Sequence, residues 1–289
     1  IGTDCVLGPA AGLSVAPIAQ DWIALSDRGF CGADPGPEAL LDQGVFVVEL
    51  ALPIDPTTIL LNHQAEDGWP RTFSLFHDET AGLVLLHRQG NSVARHHLPG
   101  PLPKGGGFGR LSFRFDAPAR RWDMTFQVLT DQGTEADLGQ RLAVSGSNPL
   151  PVRLADIAAL STASGTQKPH SAVLWFGLCR GAAPPLRAPW IGLRTPVETT
   201  RGPVAAGSLK PGDLIHTLDD GPLPLLGLRW HDLPSKGSFA PVLLRAPFYG
   251  ETQDILIASD QMIALTGAEV EYLFGEDEVL VAAGHLADG

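Results

Sequence analysis

An all-β chain in two modules is what the sequence predicts, and three observations predict it. Gly and Pro number 33 and 25 in 289 residues without a collagen period, which favours short strands joined by turns over long helices. Apolar residues recur at the period of a strand through residues 40–180. Beyond a proline-rich break at Arg180–Pro189 (RGAAPPLRAP) the texture changes to very short runs punctuated by Gly-Asp and Asp-Gly turns. The length fits one large or two ordinary domains, and 44% hydrophobic residues are enough to fill their cores.

Residues 1 to 40 are rich in Gly, Pro and Ala, with an apolar stretch at Trp22, Ile23 and Leu25 that reads as an irregular arm or first edge strand. Gly44–Leu52 (GVFVVELAL) is rich in β-branched residues and only Glu49 is charged, so this strand is expected to be covered on both faces. Gly82–His87 follows, then a turn at Gln89-Gly90-Asn91, the strand Val93–Leu98, and a flexible Pro/Gly patch from Pro99 to Gly107. The clearest pattern is a hairpin. Leu111, Phe113 and Phe115 share one face, Ala117–Arg121 turns the chain, and Trp122, Met124, Phe126 and Val128 share a face on the return. One buried face per strand is the repeating unit of a β-sandwich. Leu154–Leu160 alone reads as a helix, with Asp156 as its start, and Ser171–Leu178 supplies a last buried strand. In the second module Pro211-Gly212-Asp213 forms a turn that launches the strand Leu214–Leu218, and Asp220-Gly221 ends it.

Composition narrows the partners. Thirty-two acids against 20 Lys and Arg give a net charge of −12, and no basic stripe interrupts it, so nucleic acid and anionic membrane are disfavoured. No apolar run approaches the ~18 residues of a membrane span. The chain begins at Ile1 rather than Met, which places the true start upstream and leaves a removed leader open. Three cysteines are too few for a disulfide framework; Cys5 and Cys31 either bridge or stay as buried thiols, and Cys179 reads as core.

The hairpin 111–128 and the strand pair before it resemble the concanavalin A-like and laminin G-like sandwich over residues 40–180. Thr195–Val204 (TPVETTRGPV), Ser208–Thr217 (SLKPGDLIHT), Asp219–Gly221 and Leu225–Trp230 look like the opening of a bacterial Hedgehog/intein (Hint) domain. Phe239–Arg245, Asp254–Ile257 and Glu278–Gly289 match later segments of the same family in order. The resemblance implies a lectin-like sandwich (jelly-roll) with its N-terminal arm over residues 1–180, then a compact Hint-like module over 190–289. Within that module Thr195, Gly202, Gly212, Asp213 and His285 take structural places. Hint proteins commonly continue with another strand pair, so the resemblance implies either a disordered end or a shortened fold after Gly289.

Hint chemistry is an acyl shift. A Cys or Ser at the head of the domain attacks its preceding carbonyl while a His protonates the leaving amine, and both must reach one peptide bond. By the resemblance the nucleophile position falls on Trp190 and the acid position on Gln261, with Arg194 and Met262 replacing the family Gly and Arg. An indole cannot attack an acyl carbon and a neutral amide cannot act as general acid, so the self-cleaving residues are absent. Cys179, His216, His285 and the Ser259-Asp260 pair read as structural; His96 and His97, adjacent on a strand, point to opposite faces and make a poor metal pair.

The sandwich lacks the paired carboxylates of a glycoside hydrolase: Glu49 stands alone and Asp55 follows Pro53-Ile54 in a turn. Binding is the better expectation. Asp67 and Trp69 (EDGWP) form a loop candidate for a glycan, and Asp78-Glu79 a candidate for calcium. The sequence thus predicts a non-catalytic secreted, cell-surface or particle-associated protein that binds a glycan or protein partner, with the cytoplasm left open. The alternatives are self-cleavage through a displaced nucleophile and a structural subunit of a larger assembly.

Overall fold

The computed structural model describes residues 22–36, 38–129, 140–163, 165–186, 189–247 and 252–287. The N-terminal arm before Trp22, and with it any pairing of Cys5, lies outside those residues. The chain forms two compact units, one of residues 20–186 with Lys236–Ser238, the other including 187–235 and 239–289.

In the first unit every strand pair is antiparallel. Strands β1 (Trp22–Leu25), β2 (Gly29–Phe30), β3 (Leu40–Leu41) and β4 (Gln43–Leu52) open it. They are followed by β5 (Ile59–Ala65), β6 (Arg71–Asp78), β7 (Gly82–Gln89) and β8 (Ser92–Leu98). Then come β9 (Gly107–Asp116), β10 (Arg121–Leu129), β11 (Arg141–Ser147), β12 (Val152–Arg153), helix α1 (Leu154–Thr162) and β13 (Val173–Cys179). A seven-stranded sheet in the order β11-β10-β9-β4-β13-β1-β2 faces a four-stranded sheet β5-β6-β7-β8 across one core. Sequence alternation decides which side chains fill it. Phe46, Val48 and Leu50 of β4 and Leu111, Phe113 and Phe115 of β9 meet Phe73 and Leu75 of β6 and Leu83 and Leu85 of β7. Phe46 and Phe73 close the sandwich edge-to-face at 5.0 Å, a contact worth about 1 kcal/mol beyond the ~2 kcal/mol of burying each ring.

The hairpin is as the alternation predicts, with Trp122 opposite Phe115 and Phe126 opposite Leu111. Strand β4 is buried on both faces, also as predicted. The stretch at Trp22 is not the sheet edge, because β2 pairs outside it. Sequence alternation does not predict strands β5, β6 and β11. Helix α1 begins at Leu154 as expected and runs two residues further, but Asp156 does not start it: Arg153 occupies the N-cap and Asp156 lies in the first turn, where its carboxylate favours the helix dipole. Its Oδ1 accepts Arg71 Nε at 3.1 Å and lies 3.3 Å from His63 Nε2, so Asp156 fastens the helix to the small sheet instead of capping it.

The second unit is built of shorter pieces. A four-stranded meander β15-β14-β16-β17 comprises β14 (Pro196–Thr199), β15 (Gly202–Ala205), β16 (Leu214–Thr217) and β17 (Gly221–Pro224). Two hairpins follow, β18 (Pro241–Leu244) with β19 (Ile255–Ala258), and β20 (Met262–Thr266) with β21 (Glu278–Ala282). Val242, Leu244, Ile255, Ile257 and Ala283 make its small core. Helix α2 (Ala268–Phe274) corrects the reading that Leu154–Leu160 is the sole helix. Only Val270 of α2 is buried, and Gly275 ends the helix in the left-handed region at φ 73°, its N–H donating to Glu271 O. No helix among the described residues is long and apolar enough to cross a membrane.

Candidate functional site

Three places carry the chemistry the sequence raised. The first is the corner of the second unit where its lead-in meets β19. Gly192 N donates to Leu256 O (2.7 Å), Ile191 bridges Ile257, and Ala258 N donates to Trp190 O (2.9 Å). The chain then turns at Ser259-Asp260, and Gln261 N returns to Ala258 O (3.1 Å). Backbone pairing therefore gathers Trp190 and Gln261, the two positions singled out for nucleophile and acid, at one corner. The half-buried indole of Trp190 offers no acyl-transfer atom, and Gln261 Nε2 donates to Met262 O (3.2 Å). Gly284 N bonds Ser259 O (2.7 Å), which brings the turn of His285 to the same corner, with His285 itself exposed.

The remaining motif residues hold the meander. Asp213 Oδ1 accepts Arg201 Nη2 (2.7 Å) and its Oδ2 accepts Lys210 N (2.9 Å), while Gly212, at φ 92°, donates to Leu225 O. Gly202 turns β14 into β15 at φ 97°. Thr195 is buried, accepts Ala206 N on its carbonyl, and keeps an unpartnered Oγ1. Cys179 is buried on β13 of the first unit, with Sγ directed at Val45 O and Ala182 O.

The second place is Glu49. It is buried, and Oε2 accepts Arg110 Nε (3.2 Å), Arg110 Nη2 (3.1 Å) and Ser238 Oγ (2.7 Å), while Oε1 accepts Ser238 N. Arg110 also donates to Pro185 O (2.6 Å) and lies 5.5 Å from the Trp175 ring centre. Burial pulls the Arg110 pKa below its ordinary value, with Glu49 pulling the other way. Enclosed and fully hydrogen-bonded, this carboxylate is a tie for the outer face of the large sheet.

The third place is the glycan candidate loop. Trp69 is 49% exposed between β5 and β6. Asp67 is held by Arg71, whose Nη1 and Nη2 donate to its carbonyl and Oδ1. Asp78 and Glu79 lie at the other end of β6, so the fold does not bring the four residues together. Asp78 Oδ1 accepts the N–H groups of Thr80 and Ala81, and those bonds hold its carboxyl below the usual range. Among the described residues no group of three or more His, Cys, Asp or Glu is placed to hold a metal ion.

A groove the sequence did not single out opens between edge strands β8 and β11. Its volume is about 490 Å³, and Trp122, His96, Arg95, Ser92, Ser147 and Asn148 line it. Residues from β8, β10 and the end of β11 meet there, and nothing in sequence spacing links them. Only the Trp122 alternation and the His96-His97 pair were visible, as core and as a rejected metal pair.

Residues 193–289 match the family model of the Hint domain, so a Hint domain occupies that part of the chain. Comparison with curated proteins gave no match.

Proposed function

We propose that this chain is a non-catalytic binding protein: a lectin-like sandwich takes a glycan or protein partner, and the Hint domain persists as a structural module without its cutting chemistry. One observation carries the second half. The corner that gathers Trp190 and Gln261 is folded and hydrogen-bonded, and neither an indole nor a primary amide can attack an acyl carbon or act as a general acid there. Loss of either group removes several powers of ten in rate, and residual catalysis does not add back. Incubation of the purified chain with dithiothreitol or hydroxylamine is expected to leave its mass unchanged over days. A fragment cut beside Trp190 would reverse the reading, and a Ser259→Ala variant would then show whether that hydroxyl is the displaced nucleophile.

The exposed helix α2 favours a second reading, a subunit of an assembly. Tyr272, Leu273 and Phe274 stand 88%, 68% and 60% exposed, apolar surface at the end of a helix that a neighbouring subunit would cover. Light scattering after size exclusion is expected to show a species larger than 30.6 kDa that Tyr272→Ser/Phe274→Ser converts to monomer. A strict monomer for the parent chain counts against assembly.

A further inference from the structure

The sandwich contains a buried polar group that the fold itself does not use. His96 of β8 is 2% exposed, and neither of its ring nitrogens has a partner. Its ring is held between Phe113 (4.7 Å between centres) and Trp122 (4.5 Å). An unsatisfied buried donor or acceptor costs about 1–3 kcal/mol, and a phenyl ring in the same aromatic cluster would avoid that cost. An unpaired polar group beside a lined groove costs stability in the free protein, and a ligand that bonds it would recover that cost.

The surroundings of His96 are prepared for one. Trp122 makes three contacts: its Nε1 donates to Ser147 O at 3.2 Å, it packs edge-to-face with His96, and its ring lies over Gly146. A Cβ at Gly146 would come within 2.6 Å of the indole, so only glycine lets the ring lie flat against β11. Asn148, at φ 60° and held by Arg120 Nε (2.8 Å to Oδ1), donates one amide hydrogen to Ser147 Oγ (3.3 Å) and has a second at the rim, where Ser92 adds a hydroxyl. The volume of about 490 Å³ lies within the roughly 300–1,000 Å³ of small-molecule sites. No carboxylate lines the groove, so a cation is not what it selects.

We propose that this groove is a sugar-binding site for a pyranose residue, whose C–H face stacks on Trp122 while its hydroxyls bond Asn148, Ser92 and, after a small displacement of the indole, His96. The inference rests on the binding half of the reading above and moves it from the Trp69 loop to the opening between β8 and β11. An aromatic face beside amide and hydroxyl groups matches a pyranose because one side of the sugar is apolar and its rim is polar.

The test is an array of hexose and N-acetylhexosamine oligosaccharides probed with the full chain and with Trp122→Ala, His96→Phe and Trp69→Ala. Trp122→Ala and His96→Phe are expected to lose about tenfold or more in affinity. The second should also melt higher than the parent, a pair of effects that a merely structural histidine would not give; Trp69→Ala should bind as the parent does. Should the parent bind while His96→Phe and Trp122→Ala keep full affinity, the groove is the wrong site although glycan binding stands. A folded parent that binds no sugar overturns both. If Trp122→Ala fails to fold, His96→Phe and Asn148→Ala decide the matter alone.

Discussion

Arg110→Ala is expected to destabilise the sandwich by about 3–5 kcal/mol, lowering its melting temperature by roughly 10 °C. The size follows from what stays behind. Glu49 is fully buried and its partners come from positions far apart in the sequence: Arg110 on β9 and Ser238 in the segment that completes the unit. Deleting the guanidinium leaves a carboxylate in a dry interior with only Ser238 to answer it, and also frees the Pro185 carbonyl. Removing both charges is a different experiment. Glu49→Leu/Arg110→Met fills the space with apolar atoms and leaves no buried charge, so it should recover most of the loss; the remainder reflects the Ser238 N–H and the Pro185 carbonyl. Urea unfolding of the two variants beside the parent measures both quantities. A single variant within 1 kcal/mol of the parent would show that water reaches Glu49 and that the pair contributes little, as exposed pairs do.

Glu49 also marks where sequence reading stops. Its strand was legible, because a run of Val, Phe and Leu with one charge has to be buried on both faces. Its partners were not, because they lie 61 and 189 residues away and no local period connects them. The same division holds elsewhere. The 111–128 hairpin declares itself through alternation over two adjacent strands. Strand β6 does not, because Arg71 and His77 interrupt its apolar face, and the buried partner of Arg71, Asp156, lies 85 residues on. Strand β11 is an edge on which only Leu142 and Val144 are half-buried, and its register is set by β10. Helix α2 has no apolar stripe toward a core, so its sequence carries no helical signal beyond the glycines at its two ends.

The sites divide in the same way. The expectation that Trp190 and Gln261 stand in place of the cutting residues comes from counting along Hint-like segments that follow one another in order. The groove was not legible, because Trp122 reads as one more core aromatic until Gly146 and Asn148 are brought beside it.

Acid is expected to weaken the sandwich well before its carboxylates protonate. His87 on β7 and His96 on β8 are both buried on the core side of the small sheet, and burial pushes each pKa from 6.5 down to about 4. His96 adds its own opposition to a charge on His87, while Asp156 mildly favours one. The other neighbours of His87 are Phe73, at 5.3 Å between ring centres, and Gln89, whose Nε2 is 3.1 Å from the imidazole Nε2; neither compensates a positive charge. An unfolded chain takes up these protons near pH 6.5 and the folded one only near pH 4, so between those values the unfolded state holds more protons. Stability is therefore complete above pH 6.5 and falls as the pH drops toward 4. A shift of that size corresponds to about 3 kcal/mol for His87, less for His96 at the groove, and less than the sum for the two because they interact. Asp156 does not confuse the window: burial alone would raise its pKa, but His63 and Arg71 outweigh it, and its carboxyl titrates below the ordinary value. Urea midpoints of the parent should fall steeply between pH 7 and 4.5, and those of His87→Leu/His96→Phe should stay nearly level. Equal slopes for the two proteins would place the acid sensitivity elsewhere in the fold.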